Sequence, residues 1–162
     1  VSPDLSAVPE LLDALVARAR AVAAEETGSA LYQVYVEDGF GTGNGGHKAA
    51  LLVGVEMPDS PDASSAETTQ DYPHAGTTTR DESGYVTCLV HVVNGNGDQR
   101  AARQRAYAIA GGITELINTD PALGCEHLLY AVVGGRTRLN QGQDDRGAVA
   151  LLTFRIQFEA RL

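Results

Sequence analysis

The stretch Tyr85-Val-Thr-Cys-Leu-Val-His-Val-Val93, with the turn Asn94-Gly-Asn-Gly97, the helical residues from Asp98 to about Asn118, the stop Thr119-Asp120-Pro121 and the apolar run His127-Leu-Leu-Tyr-Ala-Val-Val133, decides the fold. Its first segment is rich in β-branched residues. Val86, Cys88, Val90 and Val92 alternate with Tyr85, Thr87, Leu89, His91 and Val93, and both sets are largely apolar. That pattern predicts a central strand covered on both faces. The glycine-asparagine turn breaks it, and Asp98 is placed to cap the helix that follows. Ala102, Ala106, Ile109, Ile113, Leu116 and Ile117 recur at helical spacing and define its buried stripe.

Two features of this helix run against its own stability. Gly111-Gly112 stands at mid-length, where each glycine costs about 1 kcal/mol relative to alanine, so a closely packed neighbour is expected there. Arg100, Arg103 and Arg105 crowd the first two turns, the positive end of the helix dipole. A solvated face is the ordinary meaning of such a run. A carboxylate or phosphate on a partner is the reading that offsets the electrostatic cost.

Working outward, the N-terminal side opens with Ser6, a candidate cap, and Pro9, tolerated in a first turn. Val8, Leu12, Leu15, Ala19 and Val22 predict an amphipathic helix to about Glu26, closed by Gly28. Residues 31–37 alternate as a half-buried strand, and 49–57 form a second, apolar one. A hairpin with a long flexible loop is the simplest connection. That loop carries Gly39, Gly41, Gly43, Gly45 and Gly46, then His47-Lys48. It is not a phosphate cradle: His47 separates Gly46 from Lys48, Ala49 stands where a metal-binding hydroxyl belongs, and a strand follows where a helix is required.

Residues 58–84 show no periodicity and hold Asp59, Asp62, Glu67, Asp71, Asp81 and Glu82 against a lone Arg80. They read as a long loop insertion, either a solvated loop or one making contacts through Tyr72 and His74. Downstream, the polar turn region 134–147 carries Arg136, Arg138 and Arg146. Residues 148–162 form the last strand, with Leu151, Thr153, Arg155, Gln157 and Glu159 alternating against Leu152, Phe154, Ile156 and Phe158. The expected fold is α+β: a mixed or antiparallel sheet of about five strands with two main helices packed on it, in one domain spanning 1–162.

Composition bounds the function. At 162 residues with net charge -9 and pI about 4.8, the chain lacks the basic field of a free-standing nucleic-acid binder. Cys88 and Cys125 have no metal-ligand spacing. No apolar run reaches about 18 residues, and the first residues lack the basic start and apolar core of a signal peptide. The expectation is a soluble, intracellular protein without cofactor, metal or catalytic residues. His91, on an apolar strand with no nucleophile placed near it, reads as a structural histidine or an interface residue rather than a base. The arginines after residue 84 face an acidic first half, which suits complementary surfaces between copies.

The chain also resembles the tail terminator, or tail completion, proteins of long-tailed bacteriophages, of the actinobacterial-phage type. The resemblance rests on Cys88-Leu-Val-His-Val-Val with Gly97-Asp-Gln-Arg-Ala-Ala-Arg-Gln-Arg-Ala-Tyr, on Asp120-Pro-Ala-Leu-Gly, and on Asn140-Gln-Gly-Gln with Gly147-Ala-Val-Ala-Leu-Leu-Thr-Phe-Arg-Ile. It implies a virion protein, assembled in the host cytoplasm, whose hexameric ring caps the tail tube, ends its growth and meets the head-side connector or stopper while DNA passes through unread. The interface residues expected on that basis are Tyr72, His74, Arg80, Arg100, Arg103, Arg105, Arg136, Arg138 and Arg146. Another connector or tube protein is the second reading. A small enzyme or ligand-binding protein using the 39–48 loop with His91 or His127 is the third.

Overall fold

The computed structural model describes residues 5–40, 46–56 and 64–162. In chain order these form α1 (Val8–Glu25), β1 (Tyr35–Asp38), β2 (Ala49–Val53), β3 (Ala66–Asp71), β4 (Asp81–Asn94), α2 (Gln99–Thr119), β5 (Leu128–Val133), β6 (Arg138–Asp144) and β7 (Gly147–Arg161). The fold is α+β, with two helices and a mixed sheet of seven strands.

The sheet is built on one antiparallel ladder, β4 against β7, which runs from Asp81 opposite Arg161 to Asn94 opposite Ala148. At about 3.4 Å per residue this spine is roughly 47 Å long. Two short strands share each of its outer edges. β3 pairs with β4 over Asp81 to Val86 and β2 over Cys88 to Val92. On the other side β5 pairs with β7 over Ile156 to Ala160 and β6 over Gly147 to Thr153. β1 extends the sheet beyond β2.

Both helices lie on one face, α1 against β1 and β2, α2 against β4, β7 and β5. Val86, Cys88, Val90 and Val92 of β4 meet Ile156, Phe154, Leu152 and Ala150 of β7 in register, and the α2 residues Ala102, Ala106, Ile109, Ile113 and Ile117 close over them. Asp98 caps α2 by accepting from the Ala101 N–H at 3.1 Å. The glycine pair divides in two. Gly112 is buried against Leu31, while Gly111 faces open space. The close neighbour expected at this point therefore exists within the chain for one glycine only.

Ser6 does not occupy the N-cap position of α1, which belongs to Ala7. Its hydroxyl still accepts from the Val8 N–H at 3.1 Å, and it donates to Glu82 Oε1 at 2.9 Å. The same carboxylate oxygen accepts the Ala7 N–H at 2.9 Å, and Gln70 Nε2 donates to Oε2 at 2.6 Å. Glu82 is only 1% exposed. A buried carboxylate at a helix N-terminus is stabilised by the unpaired N–H groups and the dipole there, so a distant strand residue performs the capping.

Three expectations are corrected. β1 and β2 are parallel rather than a hairpin. A parallel pair commonly needs a crossover of a dozen or more residues. Here β1 is only four residues long, roughly 13 Å, and residues 39–48 can span the return. The His47 ring stacks on Tyr35 at 3.8 Å, bringing the chain back to the start of β1. Within that connection Gly39 and Gly46 take positive φ, while Gly41, Gly43 and Gly45 lie outside the described residues.

The expected loop over 58–84 is, over its described part, about half strand: β3 and the first residues of β4 pair across it, leaving 72–80 as the connecting loop. β3 is polar because it is an edge strand whose residues are half-buried or exposed, so no apolar alternation marks it. A further strand, β6, lies within the expected turn region 134–147 for the same reason, being polar and almost wholly exposed.

The second face of β4 is only partly covered. Leu52, Val55 and Leu89 form a small buried cluster there with Leu151 against it, while Tyr85, His91 and Val93 are half-buried.

Candidate assembly surface

The sheet face opposite the helices is a candidate contact surface. Register places Ser83, Tyr85 and Thr87 of β4 beside Glu159, Gln157 and Arg155 of β7, with Tyr130 and Val132 of β5 next to Glu159 and Gln157. On the opposite flank Glu67 of β3 lies beside Tyr85.

An irregularity in β5 shapes this region. Regular alternation would send Leu128 and Tyr130 to one face and Leu129 to the other. The register shifts between Leu128 and Tyr130. A bulge sets two residues against one on the partner strand, and Leu128 and Ala131 are buried while Leu129, Tyr130 and Val132 are 50%, 41% and 40% exposed. Two adjoining depressions result. One of about 310 Å³ is lined by Tyr85, Tyr130, Val132 and Gln157, the other of about 210 Å³ by Leu129, Asp81 and Arg161, and both include Ser83 and Glu159.

The polar groups around these depressions are organised. The Tyr85 hydroxyl donates to Glu67 at 2.9 Å, and the Arg155 guanidinium lies 3.9 Å over the Tyr85 ring. A hydrogen bond to Glu159 is the first cause raising the Tyr130 phenol above its usual range, with burial second. Glu67 and Glu159 are exposed, and a carboxylate that accepts one phenol proton keeps lone pairs for further donors.

The expected interface residues fall in different places. Tyr72 and His74 are exposed in the loop 72–80, at the Asp81 end of the spine. Arg80 pairs by backbone with Leu162 and reaches Gln70 Oε1 at 3.3 Å. Arg103 and Arg105 of α2 are engaged within the chain, Arg103 with Gln141 of β6 at 2.9 Å and Arg105 with the Ala30 carbonyl at 2.7 Å. Arg146 is held by Asp144 at 2.8 Å in the β6–β7 turn. Arg136 is exposed. Arg100 and Arg138 are exposed and make no hydrogen bond or ion pair among the described residues.

The Asp81 end of the spine is acidic, with Glu67, Asp71, Asp81, Glu82 and Glu159 outnumbering Arg80 and Arg161. Toward Asn94 the basic Lys48, Arg100, Arg103 and Arg146 are nearly matched by Asp98, Asp144 and Asp145. Sequence reading missed Glu67, Leu129, Tyr130, Val132 and Glu159 as surface candidates. The alternation of 151–159 marked Glu159 as outward, but the bulge left no local sign.

Burial pushes the Cys88 thiol up to about 12, which suppresses the nucleophilic thiolate. Cys125 is raised too, first by burial and then by Glu10. His91 is lowered, mainly by burial and then by Arg146. His127 Nδ1 lies 3.3 Å from Glu10, whose carboxylate also accepts the His127 and Glu126 N–H groups. Among the described residues no three His, Cys, Asp or Glu side chains converge as metal ligands, and no helix is long and apolar enough to cross a membrane.

No protein-family model and no curated protein matches the sequence. Among solved structures, the fold matches a chain in the virion of a native gene transfer agent (GTA) particle, with TM-score 0.60 and 12% identity over 98% of this chain and 100% of that chain.

Proposed function

We propose that this chain is a structural protein of a phage or phage-like virion: a ring at the head-proximal end of the tail tube that ends tube growth and joins the tail to the head connector. The observation that carries the virion role is the end-to-end correspondence of fold with a virion chain, with neither protein having a large unmatched part. The finer assignment to the tail end is supported by the sequence resemblance to tail terminators. A sheet face with exposed tyrosines and carboxylates, and arginines displayed elsewhere, suits a protein that works through contacts rather than turnover.

The test is incubation of the purified chain with purified tail tubes, followed by electron microscopy. The expected result is a ring at one end of each tube and matching density at the neck of the intact particle. A chain that stays monomeric at high concentration and also fails to bind tubes overturns the reading. Density along the tube wall, or on the connector alone, reassigns the protein within the virion. Calorimetry against nucleotides is expected to show no heat, since the 39–48 loop lacks the order of groups that holds phosphates.

A further inference from the structure

The chain displays two surfaces that complement each other and point away from each other. On the sheet side, Leu129, Tyr130 and Val132 give apolar area to two mainly polar depressions bordered by Glu159 and by the Asp81–Arg161 pair, with Glu67 beside Tyr85. On the helix side, Arg100, Gln104, Tyr107, Ala108 and Gly111 are the exposed residues along one flank of α2, at spacings that place them on one helix face. Tyr107 is 49% exposed.

The helix flank has two unexplained costs. Arg100 sits in the first turn, where a cation opposes the dipole, and has no partner among the described residues. Gly111 costs about 1 kcal/mol against alanine, yet a Cβ there would meet nothing within 4 Å, so nothing among the described residues requires it. An anion beside Arg100 and a surface pressed close on Gly111 would offset both.

The sheet concavity provides both. Its carboxylates are pre-oriented by the Tyr85 and Tyr130 hydroxyls, and a guanidinium reaching such an oxygen makes a charge-assisted bond. Its exposed Leu129, Tyr130 and Val132 give apolar area for a flank built from Tyr107, Ala108 and Gly111 to meet.

Resting on the ring reading, we infer that the α2 flank carrying Arg100, Tyr107 and Gly111 seats on the Leu129–Tyr130–Val132 concavity of a second copy, with Arg100 reaching Glu159. The two surfaces lie on opposite layers of the chain, so the contact is heterologous. The joined pair then offers one unused surface of each kind, and repetition closes a ring when the rotation between copies divides the circle.

Charge reversal tests this. Glu159→Arg and Arg100→Glu are prepared separately, each with its fold checked by circular dichroism, and assembly is followed by native mass spectrometry and on purified tail tubes. Each variant alone is expected to raise the assembly midpoint about tenfold or more, because like charges then face each other. A 1:1 mixture restores assembly, since the reversed groups pair at one seam and the native groups at the next. Gly111→Leu, whose side chain enters open space in a single copy, is expected to keep its fold and lose assembly. If wild type assembles while the single variants assemble equally well, or the mixture does not recover, the seam is overturned and the ring reading stands. If wild type assembles neither alone nor on tubes, the ring reading falls and the seam with it.

Discussion

A Cβ on Gly112 would stand 2.9 Å from Cγ of Leu31, whereas one on the adjacent Gly111 would touch nothing within 4 Å. Leu31 is fully buried in the turn before β1, so α2 and that turn meet at backbone range. The two glycines therefore respond oppositely to one methyl group. Gly112→Ala forces Leu31 or the helix to move and is expected to cost about 1–3 kcal/mol. Gly111→Ala relieves the helix of a glycine and is expected to gain up to about 1 kcal/mol. Calorimetry on dissociated protein reads both, at roughly 2–4 °C in Tm per kcal/mol for a chain of this size.

Glu82 offers a second test. Glu82→Leu leaves the Ala7 N–H without its acceptor and strips Ser6 and Gln70 of a common partner. A loss of about 2–3 kcal/mol is expected. Glu82→Gln retains one acceptor oxygen and is expected to lose roughly half as much. Urea unfolding measures both as a lower midpoint at unchanged slope.

His91 makes stability depend on pH in a known direction. The folded chain depresses its imidazole below the usual 6.5, first through burial and then through Arg146, with Asp144 opposing. The unfolded chain therefore binds a proton more readily. This contribution is complete above about pH 6.5 and is lost as pH falls from there through the depressed folded value. Asp81 and Asp144, lowered by Arg161 and Arg146, act in the same direction at more acid pH. His91→Gln is expected to flatten the fall of Tm between pH 7 and 5 while leaving the steeper loss below pH 4. An unchanged slope in the variant would sink the assignment to His91.

The parts of the fold that could be read from sequence are those where one residue's environment is set by near neighbours. The Ile109, Ile113 and Ile117 stripe is legible because helical geometry alone brings these residues to one side. The apolar character of both faces of β4 marked a strand inside the sheet. Other features depend on where distant chain returns. The direction of β2 is fixed by its pairing with β4 on one side and β1 on the other, not by either strand's composition. β3 escapes because Glu67-Thr-Thr-Gln70 has no apolar phase, although threonine suits a pleated edge. In β5 every residue from Leu128 to Val133 is apolar, so either phase is equally consistent. Only pairing with β7 sends Tyr130 outward. Most of the candidate surface lies in that last group. The arginines were visible as a charge run, but that Arg103 and Arg105 would find Gln141 and the Ala30 carbonyl depended on tertiary packing.

The position of β7 has a consequence for how the protein is made. It is the last strand in chain order, yet it is the partner of β4, β5 and β6 together. During synthesis the inner edge of β4, the outward-read β5 and the polar β6 wait for a strand that follows all of α2. Until then Phe154, Ile156 and Phe158 are missing from the core that α2 covers. Such a topology, with its central pairing between distant segments, folds slowly and late. It also couples completion of the sheet to the appearance of Glu159 beside Ser83 and Tyr130 on the open face. The order in which the sheet is laid down thus leaves its open face unfinished until β7 pairs.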